Sequence, residues 1–152
     1  MSTEEIYNFI KVNDQIITGG QPTEDQLKSV ATDGVGTVIN LATIDPRRSL
    51  EDEAGIVKSL GMTYHHIPVE WGNPKQSDFA AFEQIMNQLP SGKTLIHCQA
   101  NFRVTAFYSL YGQKQLGWTE AQADEFRARI WKGSNYPVWE KFIADMKAQL
   151  GK

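Results

Sequence analysis

The segment at residues 94–105 constrains the fold of this chain more than any other part of the sequence. Its short apolar run predicts a buried strand, and from about Arg103 apolar residues recur at three- and four-residue steps, which predicts a helix. The only cysteine, Cys98, lies where the strand ends. Because the first N–H groups of a helix have no acceptor inside it, this strand, turn and helix predict an anion-binding loop.

Two side chains of this loop, Cys98 and Arg103, are suited to chemistry. N–H dipoles and a nearby guanidinium favour a thiolate over a thiol, which makes Cys98 a candidate nucleophile. A guanidinium near the end of a buried strand needs an anion beside it, and its planar fork fits two oxygens of phosphate or sulfate. A lone cysteine in a core strand is more often a small buried hydrophobic residue, and this alternative stays open here.

Composition and charge exclude several classes of protein. With 152 residues, we expect a single domain, residues 1–152, that needs no disulfide or metal for stability. One cysteine cannot form an internal disulfide, which fits a reducing compartment. The net charge is −3, and the sequence has no basic tract, membrane-length apolar run or signal-peptide profile. We therefore expect a cytoplasmic protein, unless an export signal has been removed, that binds neither nucleic acid nor membrane.

Strand-like and helix-like segments alternate along the chain, as in α/β proteins. Strands are predicted at 7–12, 15–18, 37–41, 63–69 and 94–96. The capping boxes Thr23-x-x-Gln26 and Thr119-x-x-Gln122 predict two helix starts. The last third of the chain has only helical periodicity. We expect a central, mostly parallel sheet of four to five strands flanked by helices, with a helical C-terminal third.

Residues 16–121 resemble the protein tyrosine and dual-specificity phosphatase superfamily. The similarity extends to a bacterial branch that also occurs as a domain of beta-lactamase-hydrolase-like proteins. It is carried by the segments 18–23 (TGGQPT), 37–41 (TVINL), 64–69 (YHHIPV) and 95–98 (LIHC), followed by Arg103. The resemblance implies a cysteine-phosphatase-like fold that hydrolyses a phosphomonoester through a phosphocysteine intermediate, without a cofactor.

The resemblance also implies a role for each residue of the loop. Cys98 corresponds to the attacking thiolate, Arg103 to the residue that holds two nonbridging oxygens, and His97 to a support for the loop and the thiolate. The remaining implied binding residues are Gln99, Ala100, Asn101, Phe102, Val104 and Thr105. The implied ligand is the phosphate or sulfate-type group of a phosphorylated small molecule or phosphoprotein.

The loop departs from the superfamily pattern in three ways. It has four residues between its cysteine and its arginine, one fewer than usual, a spacing shared with the bacterial branch and with rhodanese-type sulfurtransferases. Ala100 and Asn101 stand where glycines are common; asparagine tolerates left-handed geometry, so we expect Asn101 to keep the turn. Val104 replaces the usual hydroxyl residue, and the hydroxyl follows one position later, at Thr105.

A phosphatase also needs a carboxylic acid that protonates the leaving oxygen. By resemblance, this acid lies on a loop before the cysteine, which here is the segment 69–78. Glu70 at the end of a predicted strand and Asp78 are the candidates, although Asp78 also suits a helix start. Asp45 is a further candidate, and Arg47 and Arg48 beside it would attract an anion. A solvated surface role is the alternative for each of these residues.

Three functions therefore stay open from the sequence. The first is a cysteine-dependent phosphatase. The second is a catalytically weak or inactive module that binds phosphate or phosphoproteins, because the loop lacks glycines and its acid is uncertain. The third is a rhodanese-like sulfurtransferase, because of the four-residue loop. We expect no metal, since His65 and His66 point to opposite faces of a strand and no cluster has metal-ligand spacing.

Overall fold

The computed structural model describes residues 3–47, 49–133 and 136–150, so that Arg48 lies outside the described residues. The strands are β1 (Ile10–Lys11), β2 (Ile16–Gly19), β3 (Val35–Asn40), β4 (Thr63–His66) and β5 (Lys93–His97). The α-helices are α1 (Glu24–Thr32), α2 (Glu53–Ser59), α3 (Gln76–Asn87), α4 (Phe102–Gln115), α5 (Glu120–Trp131) and α6 (Pro137–Leu150). Within the described ranges, none of these helices combines the length and the apolar character that a membrane crossing requires.

The strands form one sheet in the order β1-β2-β5-β3-β4. β1 is antiparallel to β2, and the other neighbouring pairs are parallel, which confirms the predicted architecture. Gly19 of β2 and Asn40 of β3 both pair with His97 of β5. Because parallel strands end at the same edge of a sheet, the loops that follow these three strands meet there, where open α/β folds usually bind ligands.

Helices cover both faces of the sheet, and β5 lies between the two layers. Leu95 packs on the face covered by α1 and α2, in a cluster that includes Leu27. Ile96 points to the opposite face and belongs to a larger cluster with Phe82 of α3 and Phe107 of α4. This alternation follows from the period of two in a strand. The residue that follows β5, the candidate nucleophile Cys98, belongs to this larger cluster as well.

The capping boxes confirm two predicted helix starts. Thr23 Oγ1 accepts a hydrogen bond from Gln26 N at 3.1 Å, and Gln26 Oε1 accepts one from Thr23 N at 2.9 Å. Thr119 and Gln122 make the same reciprocal pair at 3.1 and 2.8 Å. Each box pairs two backbone N–H groups that the helix itself leaves without acceptors, which is why the local sequence predicted these starts correctly.

Two strands are shorter than the sequence predicts. The segment 7–12 is extended only at Ile10–Lys11, because Asn8 adopts a left-handed backbone with a φ of 52°. The strand expected at 63–69 ends at His66. The chain nevertheless continues alongside β3, since Val69 N donates to Leu41 O at 3.1 Å. Val69 is thereby held next to the loop that follows β5.

Candidate active site

The loop between β5 and α4 brings Cys98 and Arg103 to one cavity. Cys98 follows β5 directly, and Arg103 lies in the first turn of α4. Both line a cavity of about 360 Å³. Its other lining residues are Trp71, Gln99, Ala100, Phe102 and Tyr136. Because Cys98 is 1% and Arg103 4% exposed, this cavity is where a ligand would meet them.

Hydrogen bonds from outside the loop orient its peptide groups. The N–H of Gln21 donates to Gln99 O at 3.0 Å, and Asn8 Nδ2 donates to Ala100 O at 3.0 Å. In a peptide plane, N–H and C=O point in opposite directions. The N–H groups of residues 100 and 101 therefore point away from Gln21 and Asn8. Within the described residues, the N–H groups of residues 102–104 have no hydrogen-bond acceptor. The start of α4 therefore offers unpaired donors, two of which belong to residues 102 and 103 that line the same cavity as Cys98.

Asn101 makes the turn between the loop and α4. Its φ is 68°, in the left-handed region, which confirms the sequence-based prediction. Its side-chain Nδ2 donates to Asn8 O at 2.8 Å and to Thr18 Oγ1 at 3.0 Å. These two bonds offset the strain of a left-handed residue that has a side chain. A glycine would adopt the same backbone but would leave both acceptors without this donor.

The loop approaches the sheet most closely at Gly20. A Cβ atom at this position would lie 2.6 Å from Gln99 O, which is closer than such atoms normally approach. Gly20 also donates its own N–H to Tyr7 O at 2.7 Å. The absence of a side chain at Gly20 therefore allows the N-terminal segment, the end of β2 and the cysteine loop to pack together.

A buried acid–base pair lies behind the loop. His97 is fully buried, with Nε2 2.6 Å from Glu53 Oε2 and Nδ1 3.3 Å from Cys98 O. Gln21 Nε2 donates to Glu53 Oε1 at 2.8 Å. Burial alone would raise the pKa of Glu53, but the charge of His97 and the hydrogen bonds from His97 and Gln21 hold this pKa below its ordinary value. Glu53 is therefore a buried carboxylate.

Arg103 keeps its positive charge available to the cavity. Its Nη1 donates to Val69 O at 2.9 Å, and its Nη2 donates to Gln99 Oε1 at 3.1 Å. Both acceptors are neutral, and among the residues that the structure describes no carboxylate forms an ion pair with Arg103. A buried guanidinium without a counter-charge is the arrangement that an anionic ligand completes.

The side chains of Val104 and Thr105 do not line the cavity. Both are fully buried. The hydroxyl of Thr105 donates to Asn101 O at 2.8 Å and accepts from Trp131 Nε1 at 3.1 Å. This hydroxyl stabilises the first turn of α4, and the backbone N–H of Val104 has no acceptor among the described residues.

The candidate acids also lie outside the cavity lining. Glu70 is exposed, directly before Trp71, which does line the cavity. Asp78 lies in the first turn of α3, where burial raises its pKa and the charge of Glu70 raises it further. Asp45 accepts a hydrogen bond at 3.0 Å from a backbone N–H within its own loop. Among the described residues, no carboxylate lines this cavity.

Aromatic rings surround the mouth of the cavity. The ring of Trp71 stacks on Trp131 with centroids 5.9 Å apart, and it meets Tyr136 edge-on at 5.0 Å and Phe102 at 6.1 Å. Trp139 Nε1 donates to Trp71 O at 2.8 Å and anchors the segment after residue 69. In the described lining, Arg103 is the only cation. The cavity thus has an apolar wall and a single positive charge.

The described residues were compared with the requirements of a metal site. Within the described ranges, no group of three or more His, Cys, Asp or Glu side chains could hold a metal ion. His66 Nε2 lies 2.7 Å from Ala42 O, and its ring packs against Tyr64 with centroids 6.1 Å apart.

Sequence analysis missed several residues that shape the site: Asn8, Thr18, Gln21 and Glu53. Their contacts join residues far apart in the chain; Glu53 and His97 are 44 positions apart. The available signal was the resemblance itself, which includes Thr18 and Gln21 in its first segment. Nothing in the local pattern marked Glu53, which occupies an ordinary position at the start of a helix.

Comparisons with known proteins place this fold among phosphatases. A DUF442 protein from Shewanella putrefaciens CN-32, described as a proposed phosphatase, is 33% identical, with a TM-score of 0.86 over 98% of this chain and 97% of that one. The core catalytic domain of the PP-IP phosphatase SIW14 from S. cerevisiae, in complex with citrate, is 14% identical, with a TM-score of 0.75 over 96% and 92% of the two chains. No protein-family model matches the chain.

A curated relative adds the bacterial branch. The beta-lactamase hydrolase-like protein of Xylella fastidiosa (strain Temecula1) is 26% identical over 105 residues, or 67% of this chain. The chain spans 24% of the length of that relative. These comparisons confirm the predicted cysteine-phosphatase-like α/β fold and the resemblance to this branch.

Proposed function

The chain belongs to the DUF442 family, and we propose that it is a cysteine-dependent phosphatase that hydrolyses a phosphomonoester. The observation that carries the proposal is the shared cavity of Cys98 and Arg103, next to unpaired N–H groups of the loop. A sulfur nucleophile, a guanidinium fork and backbone donors are the groups that phosphoryl transfer to a cysteine needs.

In the proposed reaction, the Cys98 thiolate attacks the phosphorus atom. The P–S bond forms while the bond to the ester oxygen breaks, and this oxygen takes up a proton and leaves as an alcohol or phenol. Water then attacks the phosphocysteine, releases inorganic phosphate and restores the thiolate. Arg103 and the loop N–H groups hold the nonbridging oxygens through both steps, which stabilises the charge that develops on them.

We assign the general acid to the segment that follows Val69, with Glu70 as the first candidate. Val69 O accepts the hydrogen bond of Arg103, and Trp71 lines the cavity, so that Glu70 lies between two residues that contact the site. In the first step Glu70 would give its proton to the ester oxygen, and in the second it would take one from water. Asp78 is the second candidate, since its raised pKa suits an acid.

The lining of the cavity favours one class of substrate. Trp71, Phe102 and Tyr136 present apolar ring surfaces, against which a flat aromatic group packs well. Arg103 supplies the single positive charge of the described lining, which matches a ligand with one phosphoryl group rather than several. We therefore propose an aryl phosphomonoester, free or on a protein, as the preferred substrate.

The test is hydrolysis of p-nitrophenyl phosphate by the wild type and by Cys98→Ser. We expect turnover in the wild type, none in the variant, and a phosphate adduct on Cys98 when the wild-type reaction is quenched with acid and measured by intact mass. Equal hydrolysis by both proteins contradicts the proposal. A stable added sulfur atom on Cys98, together with thiosulfate:cyanide transfer, would assign the sulfurtransferase function instead.

A second function, phosphate binding without turnover, is favoured by the position of the carboxylates. No carboxylate lines the described cavity, and the hydroxyl of Thr105 is occupied by backbone groups of α4. In this case calorimetry detects phosphate binding that Arg103→Met abolishes, while neither protein hydrolyses any aryl phosphate. Turnover that requires Cys98 rejects this second function.

A further inference from the structure

We propose that a second cleft binds an uncharged, apolar group of the substrate. We call it the Tyr7 cleft, because Tyr7 lines it together with the segment 21–23, Leu50, Gln99 and Ala100. Its occupant is the far end of a small aryl phosphate whose phosphoryl group and first ring fill the cavity of Cys98. The inference rests on the proposed function for the place of the phosphoryl group, but binding in the cleft is measurable without turnover.

The Tyr7 cleft is continuous with the cavity of Cys98. Gln99 and Ala100 line both spaces, so that a ligand that crosses these two residues reaches from one space into the other. The cavity has a volume of about 360 Å³ and the cleft one of about 550 Å³. Both volumes lie in the range of pockets for small molecules, about 300–1,000 Å³.

The lining of the Tyr7 cleft is uncharged. Among the described residues, it contains no acidic or basic side chain. Leu50 is half-buried and packs against the core cluster that includes Val57 of α2, and Pro22 is buried. A second phosphoryl group would lose its hydration in the cleft without gaining a counter-charge, whereas an apolar group gains from the burial of its surface. The cleft therefore favours an apolar occupant.

Tyr7 provides the largest apolar surface of the cleft. Its side chain is exposed, and its ring packs on Gly20, where a Cβ atom would lie 3.0 Å from Tyr7 Cδ2. Among the described residues, no other aromatic ring covers it and its hydroxyl has no hydrogen-bond partner. A second ring of a ligand that packs on this surface removes apolar area of both groups from water.

Gln99 offers a hydrogen-bond donor where the two spaces meet. Its Oε1 accepts from Arg103 Nη2 at 3.1 Å. Because a guanidinium only donates, the atom next to Arg103 is the amide oxygen, and Nε2 is the other end of the amide. Within the described part of the chain, Nε2 has no acceptor. A ligand that crosses Gln99 is therefore stabilised by an oxygen acceptor in the linker between its two ends.

The arrangement fits a small molecule better than a docked protein. The two spaces meet at two consecutive loop residues, so a short linker is sufficient to join their occupants. A docked protein would instead bury roughly 800 Å² of surface on each partner. We therefore assign the cleft to a two-ring aryl phosphate, and a polypeptide substrate becomes an outcome of the test.

The test is calorimetry with phenylphosphonate and with phenylphosphonates that carry a second phenyl ring on para amide linkers of increasing length. These compounds have a carbon–phosphorus bond in place of the ester bond that the proposed reaction breaks, so binding is measured without turnover. We expect the best two-ring compound to bind about tenfold more tightly than phenylphosphonate, because its second ring is buried in the cleft.

Three variants assign this gain to the cleft. Tyr7→Ala should abolish it but leave phenylphosphonate binding and p-nitrophenyl phosphate hydrolysis unchanged, because Tyr7 does not line the cavity of Cys98. Tyr7→Phe keeps the ring and should keep the gain. Leu116→Ala removes an exposed apolar side chain that lines neither space, and it should change none of these measurements.

NMR provides a readout that needs no variant. Signals of Tyr7 and Leu50 should move when the two-ring compound binds and stay unchanged when phenylphosphonate binds. The inference is overturned if these signals do not respond, if no two-ring compound binds more tightly than phenylphosphonate, or if Tyr7→Ala keeps the gain. A Tyr7-dependent gain that occurs only for a peptide with phosphonomethylphenylalanine also overturns it, and assigns the cleft to polypeptide substrates.

These results are separate from those that test the proposed function. A gain that depends on Tyr7, in a protein without turnover, would reject the phosphatase but keep this inference. Hydrolysis of p-nitrophenyl phosphate that requires Cys98, without any gain from a second ring, would do the reverse. If the protein binds none of the phosphonates, the inference is overturned as well, because the occupant of the cleft is attached to the group in the cavity.

Discussion

The loop at residues 98–103 and the segment at residues 70–78 contribute to the same cavity, but they are held in very different ways. Two carbonyls of the loop accept hydrogen bonds from Gln21 and Asn8, and its turn residue Asn101 is tied to two other segments. The segment is largely exposed. Its bonds include a turn bond from Asn73 N to Glu70 O and the bond from Trp139 Nε1 to Trp71 O, and the Trp71 ring packs against neighbouring aromatic rings.

This difference separates two tasks of the proposed enzyme. Binding an oxyanion needs donors that are already in place before the ligand arrives, and the loop provides them. Delivering a proton needs one carboxyl group that reaches the leaving oxygen, and an exposed segment can bring such a group when a ligand fills the cavity. We therefore expect variants of the loop to weaken both binding and turnover, whereas variants of the carboxylates of the segment should weaken turnover alone.

The largest effect is expected in the loop, for Arg103→Lys. The guanidinium uses Nη1 and Nη2 to bond Val69 O and Gln99 Oε1, which a single ammonium cannot reproduce while it also holds an anion. We expect kcat to fall by about 10²–10³-fold, as for the loss of an oxyanion donor, together with weaker phosphate binding. Steady-state kinetics and calorimetry measure the two effects.

The control for this prediction is Arg47→Lys. The Arg47 side chain is 86% exposed and pairs with Asp45 in its own loop, so the same exchange there should change neither measurement. Unchanged phosphate binding in Arg103→Lys would contradict a loop that is preorganised around its guanidinium.

The second effect concerns the segment, through Glu70→Gln. If Glu70 protonates the leaving oxygen, its loss matters most when this oxygen is a poor leaving group. We expect phenyl phosphate hydrolysis to fall by about 100-fold, p-nitrophenyl phosphate hydrolysis to fall much less, and phosphate binding to stay unchanged. The ratio of the two rates is the measurement.

Asp78→Asn is the matched comparison for this test, because Asp78 is the other candidate acid of the segment. We expect the variant to keep the rate ratio of the wild type. A change of that ratio in Asp78→Asn but not in Glu70→Gln would move the acid to the start of α3.

The sequence predicted local features of the fold correctly. These are the helix cap of Thr23 and Gln26, the opposite faces of Leu95 and Ile96, and the left-handed turn at Asn101. Each of them depends only on residues that are close in sequence. The convergence of Cys98 and Arg103 on one cavity has the same origin, since a strand, a turn and a helix start bring them together.

Contacts between distant segments could not be predicted from the local sequence pattern. Glu53, which bonds His97, has the sequence surroundings of an ordinary exposed helix start, but the structure buries it to 6% exposure. The predicted end of the strand at 63–69 was wrong, because apolar residues continue to Val69 while the strand itself ends at His66. The identity of the acid stays a prediction, because an exposed carboxylate has the same sequence signal whether or not it acts on a substrate.

A smaller effect is expected for Gly20→Ala, which displaces the loop at residues 98–103 without changing a ligand-binding group. The new Cβ would meet Gln99 O at 2.6 Å and displace the loop. We expect a loss of about 1–3 kcal/mol in the free energy of unfolding, as for other overpacked sites, and weaker phosphate binding. Gly36→Ala is the control, because a Cβ there meets no atom within 4 Å. Equal stability and binding in the two variants would mean that the loop is not held as tightly as its hydrogen bonds indicate.

The smallest effect is the influence of Asp78 on stability, and its sign separates a role in the fold from a role in the chemistry. Because burial raises the pKa of Asp78 in the folded protein, the folded state binds this proton more tightly than the unfolded chain does. The protonated form therefore favours folding at acidic pH, and this contribution is lost as the pH rises through the folded pKa.

Asparagine cannot ionise, so the stability of Asp78→Asn relative to the wild type should increase from acidic to neutral pH. The change should stay below about 1 kcal/mol, since the group is mostly solvated. Urea unfolding at several pH values measures it, and a relative stability that falls with pH would show that the Asp78 carboxylate stabilises the start of α3 instead of opposing it.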